Sequence, residues 1–528
     1  MDFVQSLYVL IALTFFIPGK TIMNGKKVSS LHILLAMIIV FSAGCSMVGP
    51  DFHPPAAPVA EHWEETDEES IRSEAAEYNE WWKVFNDPIL DKLINTAYGQ
   101  NLSLRIAGLR VLQARAQLGV AEGDLYPQVQ ELNAGYGYQK LSHPLPWESR
   151  YFSDLSVGFD ASWEVDFWGK FRRGIQSAND KLYADIANYD DILVTLTAEV
   201  ARKYVRIRTL EERILLAEEN VNIQKKGVDL TITRYEGGVV TELDVQQAKT
   251  ILWTTRALIP RLQVSLRKAE NSLSILLGIP PEDLEDYLTD SGPIPAAPAS
   301  AAVGIPADLL RRRPDIRQAE FQASAQCSRI GIARSELYPS FIISGNIGWD
   351  ATNANDSELG DLFDDENLGF TVGPAVRWKF LNYGRLDNRI RVQDAIFEQY
   401  LTHYNNVVLN AAREVEDSLT GFKRTRIESN CLKESVQAAK RSSEISLLQY
   451  QEGTISYQPV LDALSSLSRL QDQYAQTQGE IVINLVSLYK ALGGGWQLSQ
   501  GKNFIPDQVK KNMEQRTGWG DLLDLSND

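Results

Sequence analysis

The sequence predicts a mixed, mainly α fold: an internally duplicated chain in which long coiled-coil helices are joined to four membrane-length strands. Three observations predict it. The first is a seam. Over Lys170–Tyr235 the residues Leu182, Ile186, Tyr189, Leu193, Leu196, Val200, Ile207, Leu210, Ile214, Ala217, Val221, Val228 and Tyr235 step by three and four, with Lys203, Gln224 and Thr231 on the missing beats. That is a heptad pattern, hence a coiled coil, and at 1.5 Å per residue the helix is roughly 100 Å long. The second is duplication. Tyr235 and Tyr450, Gly238 and Gly453, Val245 and Val460, Gly169 and Gly384, and Gly278 and Gly493 all lie 215 residues apart. A unit of roughly 200 residues is too long for a solenoid repeat, so the chain holds two copies of one architecture. The third is a change of period from 3.6 to 2 in the middle of each copy.

Two apolar runs open the chain. The first, Phe3–Pro18, has no basic residue before it; at about 16 residues it is short of the roughly 20 that span a bilayer. The second, Leu31–Phe41, follows Lys26 and Lys27 and ends in Ser42-Ala43-Gly44-Cys45. A basic start, an apolar stretch and small residues at the cut describe a secretory signal, with Met23 as the expected start and residues 1–44 as upstream extension and signal peptide. Small residues before a cysteine resemble the lipobox of bacterial lipoproteins, in which the cysteine is lipidated; Ser42 stands where that box usually has Leu. Residues 45–80 form an extended segment, proline-rich over Gly49–Ala60 and acidic and loosely ordered over Glu61–Glu80.

The first copy spans 81–278. Trp81-Trp82 is a packing anchor that opens a helical region to about Asp124, with Leu90, Leu93, Ile94, Leu102, Ile106, Leu109, Leu112 and Leu118 apolar; Pro127 ends it. A hairpin follows at 128–166. Leu132, Ala134, Tyr136 and Tyr138 alternate with small and polar residues, as do Leu155, Val157, Phe159, Ala161, Trp163 and Val165. Strands of roughly ten residues cross a bilayer at a tilt. The long helix then runs to a reversal at 235–245, where Gly237-Gly238 stops it and Thr241 caps the returning helix, with Asp244 three residues on. That helix ends at Leu277. Residues 279–308, rich in Pro and Ala, are a linker. The second copy, 309–496, repeats the plan: a helix from Leu309, strands Phe341–Trp349 and Phe370–Phe380 within a hairpin at 340–381, an acidic loop between them, a third long helix after Gly384, a reversal at 450–462, and a helix that stops at Leu492–Trp496. Residues 497–528 are a polar, poorly ordered tail.

Four strands cannot close a barrel, whose smallest transmembrane form has about eight, and an open edge is not tolerated in lipid. Strands in a membrane therefore require several chains to share one barrel. The net charge of −17 disfavours nucleic acid, which demands a basic face. A mean hydropathy of −0.22 excludes a polytopic helical membrane protein. No Gly-x-Ser-x-Gly, P-loop or His-Glu-x-x-His sequence is present. Three cysteines and five histidines leave little for metal chemistry. Cys327 and Cys431 lie on different helices and are expected to be unpaired thiols.

Taken in order, Cys45, Val48–Phe52 (VGPDF), Trp81–Leu90, the duplicated Leu-Tyr-Pro at 125–127 and 337–339, Phe167–Lys170 (FWGK), Leu309–Ile316 and Tyr489–Trp496 (YKALGGGW) resemble the TolC-type outer-membrane efflux channels, of the lipoprotein branch that includes OprM. The resemblance covers nearly all of the mature chain. It implies a homotrimer, three chains of four strands making a 12-stranded outer-membrane β-barrel that twelve helices continue as a periplasmic α-barrel. It implies a passive exit duct, not an enzyme, for small molecules such as drugs, toxic compounds or metals. The implied partners are an inner-membrane pump, a periplasmic adaptor and outer-membrane lipid. No cofactor is implied beyond a covalent lipid on Cys45. The reversals become periplasmic tips, with Gly237, Gly238, Val239, Thr241, Gly453, Thr454 and Ile455 docking the adaptor. The family's aperture aspartate falls on Asp462, and Asp244 matches a tip aspartate that ties adjacent helices; Pro459 stands where TolC has a second aspartate, so one acidic ring is expected. The alternative class is the outer-membrane channel of a type I protein secretion system; the lipobox and the YKALGGGW ending favour small-molecule efflux.

Overall fold

The structure, a computed structural model, describes residues 47–60, 62–64, 71–72, 78–140, 142–143, 151–281, 284, 286–288, 292–298, 300–302, 311–353 and 359–524. Met23, the secretory signal and Cys45 lie outside the described residues, as does most of Glu61–Glu80.

Helices α1 (Pro88–Gln100) and α2 (Leu102–Gly123) lead into strands β1 (Val129–Lys140) and β2 (Tyr151–Val165), then into α3 (Lys170–Glu236) and α4 (Glu242–Leu277). The second copy gives α5 (Pro314–Ser335), β3 (Ser340–Thr352), β4 (Leu368–Arg377), α6 (Arg385–Gln451) and α7 (Gln458–Ala491), and α8 (Asp507–Arg516) follows. The duplication reaches the backbone angles. α3 and α6 each have 67 residues. The paired glycines share left-handed φ: 76° at Gly169 and Gly384, 71° and 75° at Gly238 and Gly453, 71° and 73° at Gly278 and Gly493. At Gly278 two constraints coincide, because an added Cβ would also come within 2.5 Å of the Gln100 carbonyl oxygen.

Most of the predicted α3 seam is buried, including the polar Gln224 and Thr231. Tyr235 departs from it at 45% exposed, because the chain reverses at Gly237 and the last turn has no neighbour on its outer side. A second buried set on α3, Ala187, Val194, Ala198, Ala201, Tyr204 and Val205, arises at mid-height, where α2 and α5 also pack on this helix. The long helices form one layer in the order α4, α3, α7, α6, with α4 and α6 at its edges. Both edges keep apolar residues in the open. Trp253, Val264 and Ile275 on α4 are exposed and recur every eleven residues, a slowly winding stripe at about three turns per step. Leu409, Ile427, Ile445 and Leu448 are exposed on α6. Among the described residues no helix is long and apolar enough to cross a membrane.

The four strands make one antiparallel sheet in the order β1-β2-β3-β4. Its register sorts the side chains into rows. Leu132, Phe159, Ile347 and Phe370 lie side by side, and the row nearer the helices holds Trp163, Ile343 and Pro374. These rows form the apolar face. The alternate rows hold Ser162, Ser344 and Gly373, then Asp160, Asn346 and Thr371, then Asn133, Gly158, Gly348 and Gly369. Small and polar residues thus predominate on the opposite face, with Val129 and Ile342 at the end nearer the helices, the alternation of a barrel wall with lipid outside and water within. β4 ends at Arg377, three residues short of the expected Phe380. Its partner begins at Ser340, paired with Arg377, and Trp378 Nε1 turns to donate to the Leu337 carbonyl at 3.0 Å. Trp163 Nε1 does the same in the first copy, donating to Leu125 O at 3.1 Å.

The main core is a belt around the middle of the helices. Trp81 and Trp82 are buried, Trp81 stacked on Tyr489 at 5.4 Å, as their reading as a packing anchor requires. The helical region expected to about Asp124 is divided at Asn101, which ends α1 and starts α2: its Oδ1 accepts from Leu104 N and its Nδ2 donates to Leu276 O. The break rotates α2, so Leu102 and Ile106 are exposed instead of buried. Over 497–524 the tail is ordered, contrary to expectation. Ile505, Met513 and Leu523 close over Leu112, and Phe504 meets Tyr189 edge to face at 5.0 Å. Cys327 is buried and Cys431 exposed, both free thiols.

Candidate functional site

The two reversals are built by the same local chemistry. At the end of α3, Gly238 N donates to Tyr235 O and Val239 N to Arg234 O, at 2.8 and 2.9 Å. At the end of α6, Gly453 N donates to Tyr450 O and Thr454 N to Gln449 O, both at 3.0 Å. Each glycine takes the left-handed angle that lets the last carbonyls be satisfied in this way; Gly237, at φ −76°, stays right-handed. α4 starts from a capping box: Asp244 Oδ2 accepts from Thr241 N at 2.9 Å and from Thr241 Oγ1 at 2.8 Å. α7 has no such box and starts with Pro459 in its first turn, where the missing N–H costs nothing. Asp462, exposed, accepts from Gln458 Nε2 at 3.0 Å on its own helix.

What joins the two tips is Arg234, which sequence reasoning left without a role. Its Nη1 donates to the Tyr450 carbonyl and, at 3.4 Å, to that of Gln451. Its guanidinium lies over the Tyr450 ring, 4.7 Å from the centroid. Tyr450 and Tyr457 meet edge to face at 5.1 Å, both buried, and burial pushes the Tyr457 phenol up to about 12. Beneath them Val228, Ala248, Ile251, Val460 and Leu464 close a small core of their own. The predicted tip residues fall in two groups. Gly237, Gly238, Val239, Thr241, Gly453 and Thr454 are exposed and Ile455 is half-buried, with Leu243 beside them at 65% exposed. Asp244 and Asp462 sit on separate hairpins, each tied within its own first turns. The signal for Arg234 was its place three residues before Gly237 on the repeated motif, but a reach across the repeat cannot be read from a chain.

A second polar cluster lies in the belt. Arg313, buried, donates to Asp315 and Glu414 at 2.8 and 2.9 Å and to the Ala491 carbonyl at 2.7 Å. Burial pushes the nearby Asp191 carboxyl up to about 6; Asp315 adds to the rise, and Arg313 and Lys490 oppose it. At the top of the helices the N-terminal segment is fastened: Val48 N donates to Trp168 O at 3.1 Å, Arg173 pairs with Asp51 at 2.8 Å, and Phe52 meets Phe397 edge to face. Among the described residues no group of His, Cys, Asp and Glu is placed to hold a metal.

The family model for outer membrane efflux proteins matches residues 93–279 and 305–494. Nodulation protein T of Rhizobium leguminosarum bv. viciae is 28% identical over 474 residues, covering 88% of this chain and 94% of that protein. The pyoverdine export outer membrane protein OpmQ of Pseudomonas aeruginosa is 30% identical over 437 residues, covering 81% of this chain and 89% of that protein. Among solved structures, the outer-membrane channel OprN superposes with a TM-score of 0.79 at 30% identity, over 85% of this chain and 99% of that one.

Proposed function

This chain belongs to the outer membrane efflux protein family, and from that premise we propose that three copies join edge to edge into one duct. The chain is the outer-membrane component of an efflux system that exports small molecules. The observation that carries the trimer is the sheet: among the described residues its edge strands β1 and β4 have no outer partner, and a bilayer admits no open edge. Three such sheets give twelve strands. The same closure covers the helical layer, where the apolar stripe of α4 on one copy would meet the exposed apolar residues of α6 on the next. This is a heterologous contact that closes into a ring.

In this assembly the polar face of the sheet lines the water path. The helices continue the path to the tips. Gly237, Gly238, Val239, Thr241, Gly453, Thr454 and Ile455 form the docking rim for a periplasmic adaptor, which links the duct to an inner-membrane pump. Exposed Val239 and Leu243 supply apolar contact there. Threefold symmetry brings three copies of Asp462 together at the aperture, where their like charges favour cations; Asp244 serves mainly to cap α4. Export is passive, and the pump selects the cargo. Cys45 carries the lipid. The fastening of Val48 to Trp168, at the foot of the strands, supports this by bringing the mature terminus to the membrane surface. A photo-crosslinking residue at position 239 tests the docking reading: in cells it should join to the hairpin of a periplasmic adaptor protein, and adducts confined to the chain's own copies would refute it.

A further inference from the structure

The apolar face of the sheet is not smooth. Between the rows of Phe159, Ile347 and Phe370 and of Trp163 and Ile343, the intervening row holds Gln130, Ala161, Gly345 and Val372, with the two small residues side by side at its centre. The small residues lie in a shallow, open groove of about 430 Å³, lined also by Pro127. From Trp163 to Phe159 it runs along four residues of strand, about 13 Å at a rise of ~3.3 Å each. Membrane strands tilt by about 35–45°, so the groove covers about 10 Å of the ~15 Å depth of one leaflet, room for the first part of one acyl chain lying along it in the periplasmic leaflet. It is built from β2, β3 and β4 of a single chain and needs no second copy to be complete.

The chain's own terminus arrives beside it. Val48 N is bonded to Trp168 O, and Met47 packs over Gly169. Phe167 lies between this point and the groove, with its ring 5.2 Å from that of Phe341, which is paired with Val165 on the apolar face. Cys45 stands two residues before Met47. We propose that an acyl chain carried by Cys45 seats in the groove over Ala161 and Gly345. The lipid would then act as a fourth fastening of the terminus to the barrel wall, in addition to its hold on the bilayer. The proposal rests on the reading of Cys45 as lipidated.

The test feeds cells a palmitate analogue bearing a diazirine, purifies the full assembled protein, irradiates it and maps the products by mass spectrometry. The expected product joins the Cys45 peptide, through its acyl chain, to peptides containing Phe159–Trp163 or Ile343–Ile347. Ala161→Trp, which fills the groove on the lipid side, should lower that product at least fivefold with export and assembly intact; Ala161→Leu serves if the tryptophan variant does not assemble. An acylated Cys45 peptide joined only to phospholipid, detergent or other parts of the chain overturns the groove while leaving lipidation in place. A Cys45 peptide without acyl mass overturns the lipidation reading, and the groove proposal with it.

Discussion

Removing Arg234 should loosen the tips without unfolding the duct. The side chain makes one charge-assisted bond to the Tyr450 carbonyl, a long one to Gln451, and a stacking contact with the Tyr450 ring. Hydrogen bonds from charged donors contribute about 1.5–3 kcal/mol and an open cation–π contact about 0.5–1 kcal/mol. Arg234 is half-buried at the end of its helix, so the lower ends apply, and Arg234→Ala should weaken the link between hairpins by about 2 kcal/mol. At tenfold per ~1.4 kcal/mol this is about a 25-fold shift. A tip that is open about 1% of the time would then be open for about a fifth of it. Single-channel recordings in planar bilayers read that fraction directly. Arg234→Lys keeps the charge but loses the planar fork and should fall between the two. The thermal midpoint should change little, because the belt core is remote from the tips. Equal open fractions for wild type and Arg234→Ala would refute the latch.

Two further outcomes follow from the charges. Asp462→Asn should reduce cation selectivity and relieve block by trivalent metal complexes in the same recordings, with assembly unchanged; identical selectivity and block would remove Asp462 from the aperture. Asp191 has a folded pKa of about 6 against an ordinary 3.8. Between those values the folded state holds a proton that the unfolded state has lost, so its contribution to stability falls as pH rises from 4 to 6. The cost is fully present above pH 7, up to about 3 kcal/mol at ~1.4 kcal/mol per unit. Asp191→Asn should therefore raise the melting midpoint at pH 7.5 and leave it nearly unchanged at pH 4, which calorimetry in detergent can check.

Repetition made most of this fold legible. A heptad seam, an alternating run and a helix-stopping glycine are each local patterns, and each occurs twice at a fixed spacing. The paired left-handed glycines are the clearest return on that reading. What stayed hidden depends on which other element covers a residue. Leu102 and Ile106 fit an apolar face, yet the break at Asn101 turns them outward. Ile505, Val509 and Met513 step by four in a polar tail, too short a pattern to announce α8 without knowledge that Leu112 needs a cover. At the site, the turn chemistry of Thr241 and Asp244 was readable within four residues. The contact from Arg234 to Tyr450 joins positions 216 residues apart, and no local pattern encodes it.

The central claim is that one chain is a third of a duct. Native mass spectrometry of the purified, detergent-folded protein tests it most directly. The account predicts a single species of three chains that conducts when inserted into a bilayer. A monodisperse folded monomer, with its four-stranded sheet intact, would contradict it.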